Sequence, residues 1–202
     1  MDLNLNYSIR NIFTVPIHIF DVNRFNEIKN ELIDYAYNLK KEDEGVYKTN
    51  CGGWQSKDFD ISSDDDTLQL FLINCLSEFP PIKKSVQLKT SAWININKPG
   101  DYNIKHMHPI CDLSGVIWLK APKDCGNIQF DSPFIFQTYN EVDSYIEDFT
   151  DFNNYHHTYY FIPTEGTMLV FPSHLQHLVE ENKSNEDRIS VSFNITLLGE
   201  NY

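Results

Sequence analysis

Short strand-like segments fill the chain after Pro81 and constrain the fold more than any other feature of the sequence. Apolar and polar residues alternate over residues 91–97, which is typical of a strand with one buried face. Further runs rich in β-branched and aromatic residues are bounded by Gly and Pro; they span residues 116–120, 127–130, 159–162, 168–171 and 189–198. Strands of this number and shortness favour a β-sandwich or jelly roll.

Two helices are predicted before Pro81. From about Arg24 to Lys40, apolar residues recur at spacings of three and four and form one stripe, namely Phe25, Ile28, Leu32, Ala36 and Leu39. Asp21 or Asn23 is available as the N-cap. A second helix is expected to begin at Asp65 or Asp66 and to stop at the proline pair 80–81, with Leu68, Leu72, Cys75 and Leu76 along it. Residues 9–20 predict one or two short strands around Pro16.

Helices followed by many strands indicate an α+β fold, with the helices packed on the outer face of one sheet. At 202 residues, one domain is the simpler expectation, with residues 1–85 as a strand-and-helix support and residues 86–198 as the strand-rich core. The acidic, aromatic stretch 141–155 predicts a long loop, which is either a lid over the barrel mouth or a solvated insertion.

The charge balance narrows the classes of partner. The chain has 16 Lys and Arg against 29 Asp and Glu, a formal net charge of −13, and such a surface repels phosphate backbones. Duplex nucleic acid is therefore a disfavoured partner, although a local basic patch would evade the argument. No apolar run approaches the ~20 residues that a membrane span needs. The first residues lack the basic and apolar regions of a secretory signal, so we expect a cytoplasmic protein whose four separated cysteines are reduced thiols.

Three of the seven histidines stand in a pattern that suits a metal ion. His106-x-His108 lies early in the strand-rich half, and His177 lies late in it. Residues i and i+2 of an extended strand share a face, so His106 and His108 can converge on one ion. Imidazole suits iron, zinc, copper or nickel, and a distant third ligand would complete one face of the coordination sphere. A His-x-His pair is also common as a surface or hydrogen-bonded pair, so the spacing alone leaves both readings open.

The last predicted strand separates polar from apolar residues. Arg188, Ser190, Ser192 and Asn194 share one face, whereas Ile189, Val191, Phe193 and Ile195 share the other. Only the apolar face is needed to pack the helices, so the polar face is expected to line the interior. An interior Arg can bind a carboxylate through both guanidinium nitrogens, and an Asp or Glu from elsewhere in this acidic chain is the alternative partner. In residues 91–97, Trp93 and Asn95 are likewise expected on the side away from Ala92, Ile94 and Ile96.

Several motifs together resemble the 2-oxoglutarate- and Fe(II)-dependent oxygenases found in phage and bacterial sequences. They are Gly100-x5-His106-x-His108, residues 113–119 (LSGVIWL), 126–133 (GNIQFDSP), 171–177 (FPSHLQH) and 188–194 (RISVSFN), with residues 52–56 (GGWQS) upstream. The resemblance covers most of the chain, from about residue 10 to residue 197. Each motif is weak alone, but the set is specific.

The resemblance implies a double-stranded β-helix core, a cupin-like variant of the jelly roll, that uses Fe(II) and 2-oxoglutarate. It implies that His106 is the first metal ligand and that His177 is the distal one, with His174 as the competing candidate. His177 is preferred because Arg188, eleven residues later, falls where these enzymes place the Arg that binds the distal carboxylate of 2-oxoglutarate. Ser190 would be its hydroxyl partner.

The chain departs from this superfamily at the middle ligand, where His108 stands in place of the usual carboxylate. Three neutral imidazoles leave the site one negative charge short, which should alter metal affinity without abolishing binding. The alternatives are Asp112, Asp131 or a site with only two protein ligands.

By the same resemblance, the expected reaction is the oxidative decarboxylation of 2-oxoglutarate to succinate by O2, coupled to hydroxylation of a substrate that is still unidentified. Asn95 is a candidate to hydrogen-bond the cosubstrate, and Trp54 and Gln55 either contact substrate or cover the core. Two other readings are a cupin-like metalloenzyme that does not use 2-oxoglutarate and a non-catalytic jelly-roll binding or structural module. Strand edges and helices at the surface would also support a homodimer.

Overall fold

The computed structural model describes residues 13–61, 66–77, 82, 83, 85–134, 144–153 and 156–199, together with residues 8 and 10. Its helices are α1 Lys29–Glu42, α2 Thr67–Ser77 and α3 Glu147–Asn153, and a 3₁₀ turn, Phe25–Glu27, precedes α1. Its strands are β1 His18–Asp21, β2 Asn50–Cys51, β3 Trp54–Gln55, β4 Phe59–Asp60, β5 Gln87–Asn97, β6 Tyr102–His106, β7 Leu113–Lys120, β8 Ile128–Asp131, β9 Thr158–Phe161, β10 Thr167–Pro172, β11 His177–Val179 and β12 Arg188–Leu198.

The strands form two antiparallel sheets. The seven-stranded sheet has the order β1-β10-β7-β12-β5-β3, with β4 also paired to β5. The five-stranded sheet has the order β2-β6-β11-β8-β9. Sequence neighbours are repeatedly placed in opposite sheets, as β6 and β7 are, which is the arrangement of the predicted double-stranded β-helix.

Both long helices pack on the outer face of the seven-stranded sheet. This outer core joins α1 and α2 to the apolar faces of β5 and β12, which carry Ala92, Ile94, Ile96, Ile189, Val191, Phe193 and Ile195. The predicted division of these two strands into an apolar and a polar face is therefore confirmed. It follows from the period of two in an extended strand, which turns alternate side chains to opposite faces.

The first predicted helix exists but begins later than its apolar stripe. Ile28 occupies the N-cap position of α1 and makes no side-chain cap, so the predicted caps Asp21 and Asn23 are wrong. Arg24 has a φ of 60°, and this left-handed conformation interrupts the helical path. The buried end of the stripe, at Phe25, consequently lies in a 3₁₀ turn.

The second helix begins directly after Asp66, one of its two predicted starting residues. The Asp66 carboxylate accepts the backbone N–H groups of Leu68 and Gln69 at 2.9 and 3.1 Å, which satisfies two donors that a helix leaves free at its start. Residue 65, the other predicted start, and the proline pair 80–81 lie outside the described residues. One or two strands were predicted within residues 9–20, and the described residues of this segment form one strand, β1. Residues 9, 11 and 12 are also outside the described part of the chain.

Part of the predicted loop 141–155 is helical. The two-turn helix α3 begins with Glu147 and Asp148, and acidic residues in a first turn are favoured by the helix dipole. Residues 141–143, 154 and 155 are outside the described chain. Among the described residues, none of the helices combines the length and the apolar composition that crossing a membrane requires.

A candidate metal and cosubstrate site

A cavity of about 600 Å³ lies between the two sheets. Its floor is the polar face of β12 and β5, whose side chains are aligned by the register of the two strands; the pairs are Arg188 with Asn97, Ser190 with Asn95, Ser192 with Trp93, Asn194 with Ser91, and Thr196 with Lys89. The polar faces that the sequence predicts to be interior therefore line this cavity. Arg188 occupies one end of the floor, and Lys89 occupies the other.

Three histidines converge on the cavity from the five-stranded sheet and the turn after it. His106 ends β6 and lies directly opposite His177, the first residue of β11. His108 follows two residues after the end of β6, and its backbone N–H donates to the carbonyl of Ser173 at 2.8 Å. One ligand atom of each imidazole lies within 4.8 Å of the others. A single ion between the three rings is thus geometrically possible.

Backbone carbonyls determine which nitrogen of two of the rings faces the cavity. Nδ1 of His106 lies 2.7 Å from the carbonyl oxygen of Ile104, and Nδ1 of His177 lies 2.8 Å from that of Leu175. A carbonyl oxygen only accepts, so each Nδ1 carries the proton and each Nε2 keeps its lone pair. A metal-ligating histidine ordinarily makes this contact with its second nitrogen.

Burial keeps all three imidazoles neutral at pH 7. It lowers the pKa of His106, and it lowers the pKa of His108 to about 4 and that of His177 to about 3, with smaller contributions from neighbouring positive charge. Neutral imidazole is the form that binds a transition metal, so no proton has to be displaced at neutral pH. The three rings together offer a facial set of nitrogen ligands.

Backbone carbonyls hold Nη1 of Arg188 at the end of the cavity floor. Its Nη1 donates to the carbonyl of Cys125, and to those of Gly126 and Glu180 at 3.3 and 3.2 Å. Its Nη2 is buried and has no hydrogen-bond partner among the described residues, although the side chain is only 1% exposed. Burial lowers the pKa of Arg188 to about 10, which leaves it charged at pH 7. A buried cation with an unused donor fits an anionic ligand.

Gly126 makes this carbonyl cradle sterically possible. Its φ is 87°, and a Cβ atom at this position would lie 2.4 Å from the carbonyl oxygen of Glu180. A larger residue would push apart two of the carbonyls that bind Arg188. In the sequence, Gly126 is a break between strands and the first residue of the motif 126–133, and its contact with the carbonyls around Arg188 is visible only in the folded chain.

Ser190 and Asn95 follow Arg188 along the cavity floor, towards Trp93. They are paired across β12 and β5, and both line the cavity. The Asn95 amide nitrogen donates to the Ser192 hydroxyl oxygen at 3.1 Å. The next floor residue, Trp93, has its ring stacked on that of His108.

The alternative ligands are placed elsewhere. The Asp112 carboxylate accepts the N–H of Leu197 at 2.8 Å, and Asp131 is ion-paired with Lys105; neither lines the cavity. His174 is exposed and does not line it either.

Residues 54 and 55 point in opposite directions. Trp54 packs in the outer core, where its Nε1 donates to the carbonyl of Asp43 at 2.9 Å, whereas the buried Gln55 lines the cavity. No sequence pattern marks Lys48 and Asp58, which form an ion pair of 2.8 Å and both line the cavity. Both residues lie outside the long strands, so no local period could have found them. None of the described residues of the predicted lid, 144–153, lines the cavity.

The sequence also matches a model of a known protein family over residues 91–194, about half of the chain, and that model carries the description "Putative 2OG-Fe(II) oxygenase". The chain belongs to this 2OG-Fe(II) oxygenase family. The cofactors of the family are Fe(II) and 2-oxoglutarate, and the resemblance seen in the motifs is confirmed. No curated protein matches this oxygenase.

Solved structures share the fold of the oxygenase. A prolyl-4-hydroxylase from Pseudomonas putida matches with a TM-score of 0.63 and 14% identity over 92% of this chain and 95% of that one. The α-ketoglutarate-dependent epimerase SnoN of nogalamycin biosynthesis matches with a TM-score of 0.60 and 12% identity over 89% and 76% of the two chains. A prolyl hydroxylase from Trichoplax adhaerens, in complex with a peptide of hypoxia inducible factor, has a TM-score of 0.57 and 11% identity over 89% and 83%. These likenesses confirm the double-stranded β-helix.

The residues of the oxygenase fit the two cofactors of its family. Three neutral imidazoles with converging nitrogens suit Fe(II). Nη2 of Arg188, on the floor of the same cavity, finds no hydrogen-bond partner among the residues that the structure describes, and it suits one carboxylate of 2-oxoglutarate.

Proposed function

We propose that this oxygenase is a 2-oxoglutarate- and Fe(II)-dependent dioxygenase that hydroxylates a substrate still to be identified. The observation that carries the proposal is the buried Nη2 of Arg188, which has no hydrogen-bond partner in the described part of the chain and lies in the cavity on which three neutral histidines converge. A metal site alone would not need a buried cation. A cation alone would not need three imidazoles. The three-histidine site and the buried cation together suit a dicarboxylate that also chelates the metal.

Each residue has a separate part in this proposal. His106, His108 and His177 hold Fe(II), which, when bound, supplies the activation of O2 that is coupled to decarboxylation of 2-oxoglutarate to succinate and CO2. Arg188 binds the distal carboxylate through Nη2, and Ser190 and Asn95 hydrogen-bond the cosubstrate along the floor. We assign residues 1–85 to support and 86–198 to the core of one oxygenase domain that spans residues 1–202.

His108 gives the proposed site an unusual charge. A His-x-Asp/Glu set would lower the net charge of the Fe(II) centre by one, whereas three imidazoles leave it at +2. The metal is then held less tightly by the protein, and the carboxylate of 2-oxoglutarate that chelates it meets a stronger attraction. Binding of metal and cosubstrate should therefore be mutually reinforcing.

The primary substrate is expected to reach the metal from the end of the cavity opposite Arg188. This end is lined by Lys89 and Thr196, by Ser91 and Asn194, and by the ion pair of Lys48 with Asp58. Hydroxyl, amide and ammonium groups dominate it, so we expect a substrate with hydrogen-bond acceptors near the carbon that is oxidised. The net charge of −13 continues to disfavour duplex nucleic acid.

Anaerobic reconstitution of the full chain tests the proposal. Protein loaded with Fe(II) and 2-oxoglutarate should develop the weak visible charge-transfer band of the chelate, and admission of O2 should then release succinate. His177→Ala is the matched control and should give neither signal. Folded wild-type protein that gives no band and no succinate contradicts the oxygenase function. Protein that binds Fe(II) but develops no charge-transfer band with 2-oxoglutarate would favour the cupin-like alternative instead.

A further inference from the structure

Two kinds of contact hold the three imidazoles. Carbonyl oxygens bind Nδ1 of His106 and of His177, but the His108 ring makes no hydrogen bond to any residue that the structure describes. Metal-ligating histidines almost always use their second nitrogen in such a bond, which orients the ring. The orientation of His108 must therefore come from a different contact.

Aromatic rings enclose His108 from within the cavity. The Trp93 ring is 5.7 Å away between centroids and inclined by 25°, and the His177 ring is 5.3 Å away and parallel to within 2°. Both distances lie in the range of favourable aromatic pairs, about 4.5–7 Å. Each contact depends on the plane of the His108 ring, so the two together restrict its rotation.

Trp93 is itself well fixed and can serve as a rigid support. It is 9% exposed and lies in the middle of β5, where strands pair with β5 on both sides. The ammonium group of Lys48 lies 5.7 Å from the ring centroid, and Asp58 holds that ammonium group by an ion pair. A cation over an indole face is attractive, so this pair adds to the restraint on the ring.

We propose that Trp93 is a positioning residue that orients His108 for metal binding by stacking, in place of the hydrogen bond that orients His106 and His177. The inference rests on the proposed function, because it takes the three histidines to be the metal ligands. A ring that is already oriented loses less conformational freedom when the metal binds, and this raises affinity. Without the indole, His108 keeps its contact with His177 but is free to turn away from the ion.

Titration of the full chain with Co(II), followed by visible absorption and calorimetry, tests this role without requiring activity. We expect Trp93→Ala to weaken Co(II) binding about tenfold, the lower end of the loss seen when a partner of a metal-bound histidine is removed. Trp93→Phe keeps an aromatic face and should stay within about threefold of wild type. Trp54→Phe is the matched control, because Trp54 lies in the outer core, and should leave Co(II) affinity unchanged.

A double-mutant cycle separates orientation of His108 from general damage. In a His108→Ala background, Trp93→Ala should have no further effect on Co(II) affinity, because its target is gone. The same tenfold loss in both backgrounds would overturn the proposal, as would wild-type affinity in Trp93→Ala. Trp93→Leu replaces the alanine variant if thermal unfolding shows that the latter does not fold. Wild-type protein that binds no Co(II) would overturn the proposed function as well, whereas the other two outcomes leave that function standing.

Discussion

Replacement of Arg188 by Met should strongly weaken 2-oxoglutarate binding and spare the metal. Arg188 is 1% exposed, its Nη1 donates to backbone carbonyls, and its Nη2 has no partner among the described residues. In our proposal Nη2 binds the distal carboxylate, and truncating one partner of a buried, hydrogen-bonded charge pair costs about 2–5 kcal/mol. A loss of about 3 kcal/mol, at about 1.4 kcal/mol per factor of ten, raises the Kd of 2-oxoglutarate roughly 100-fold.

The assay is an anaerobic titration of 2-oxoglutarate into Fe(II)-loaded protein, followed through the visible charge-transfer band. Arg188→Lys is the matched variant, since one ammonium group cannot serve both the carbonyl cradle and the ligand; we expect it to lose at least about tenfold in affinity. Co(II) affinity should stay within about threefold of wild type in both variants, because Ser190 and Asn95 lie along the cavity floor between residue 188 and Trp93, whose ring stacks on that of His108. A loss of 2-oxoglutarate affinity below about fivefold, or an equal loss of metal affinity, would refute the reasoning and indicate a purely structural Arg188.

Three further outcomes are expected. Gly126→Ala should lower the free energy of unfolding, measured in urea, by about 3 kcal/mol or more, because the cost of a left-handed φ adds to that of a clash with a carbonyl oxygen. Gly100 is the control: its φ is similar, 90°, but a Cβ atom there would meet no atom within 4 Å. Gly100→Ala should therefore cost only about 1 kcal/mol. His177→Ala should weaken Co(II) binding more than about 100-fold. His174 is exposed, so His174→Ala should keep the Co(II) affinity of wild type. The reverse result would assign the distal ligand to His174. The metal-free protein should lose thermal stability as the pH falls from about 6.5 towards 4, because burial lowers the pKa of His108 to about 4 and the unfolded chain then binds more protons. Because burial also lowers the pKa of His106 and His177, His108→Asn should reduce the slope of this dependence without removing it. An unchanged slope would mean that His108 titrates as if exposed.

Strand periodicity explains why the fold was predictable. Alternation along residues 91–97 and 188–195 correctly separated the helix-facing side from the cavity-facing side, since the period of two is a property of the extended backbone itself. The two-residue strands β2, β3 and β4 were missed, because pairs of residues carry no period. The helix α3 was missed as well, because its few turns lie in a stretch whose composition resembles a loop.

Candidate site residues were found by motif, but their surroundings were not. Asp112 and His174 were candidate ligands because of the family resemblance and their positions near His108 and His177. Their exclusion from the cavity depends on a bond to the N–H of Leu197 in one case and on exposure in the other. The hydrogen bond of Asp112 and the exposure of His174 both result from how segments distant in sequence pack together. No local sequence pattern encodes that packing.

The sequence by itself determined the two faces of the long strands, the His106-x-His108 spacing and the place of Arg188 at the start of the last strand. Each of these follows from covalent order and from the geometry of a single extended segment. Only the tertiary structure decided that His177 lies opposite His106, that carbonyl oxygens set the tautomers of both, and that Nη2 of Arg188 has no partner among the described residues. The physical reason is that register and hydrogen-bond partners are decided between strands far apart in sequence, where the packing of the whole molecule selects one pairing.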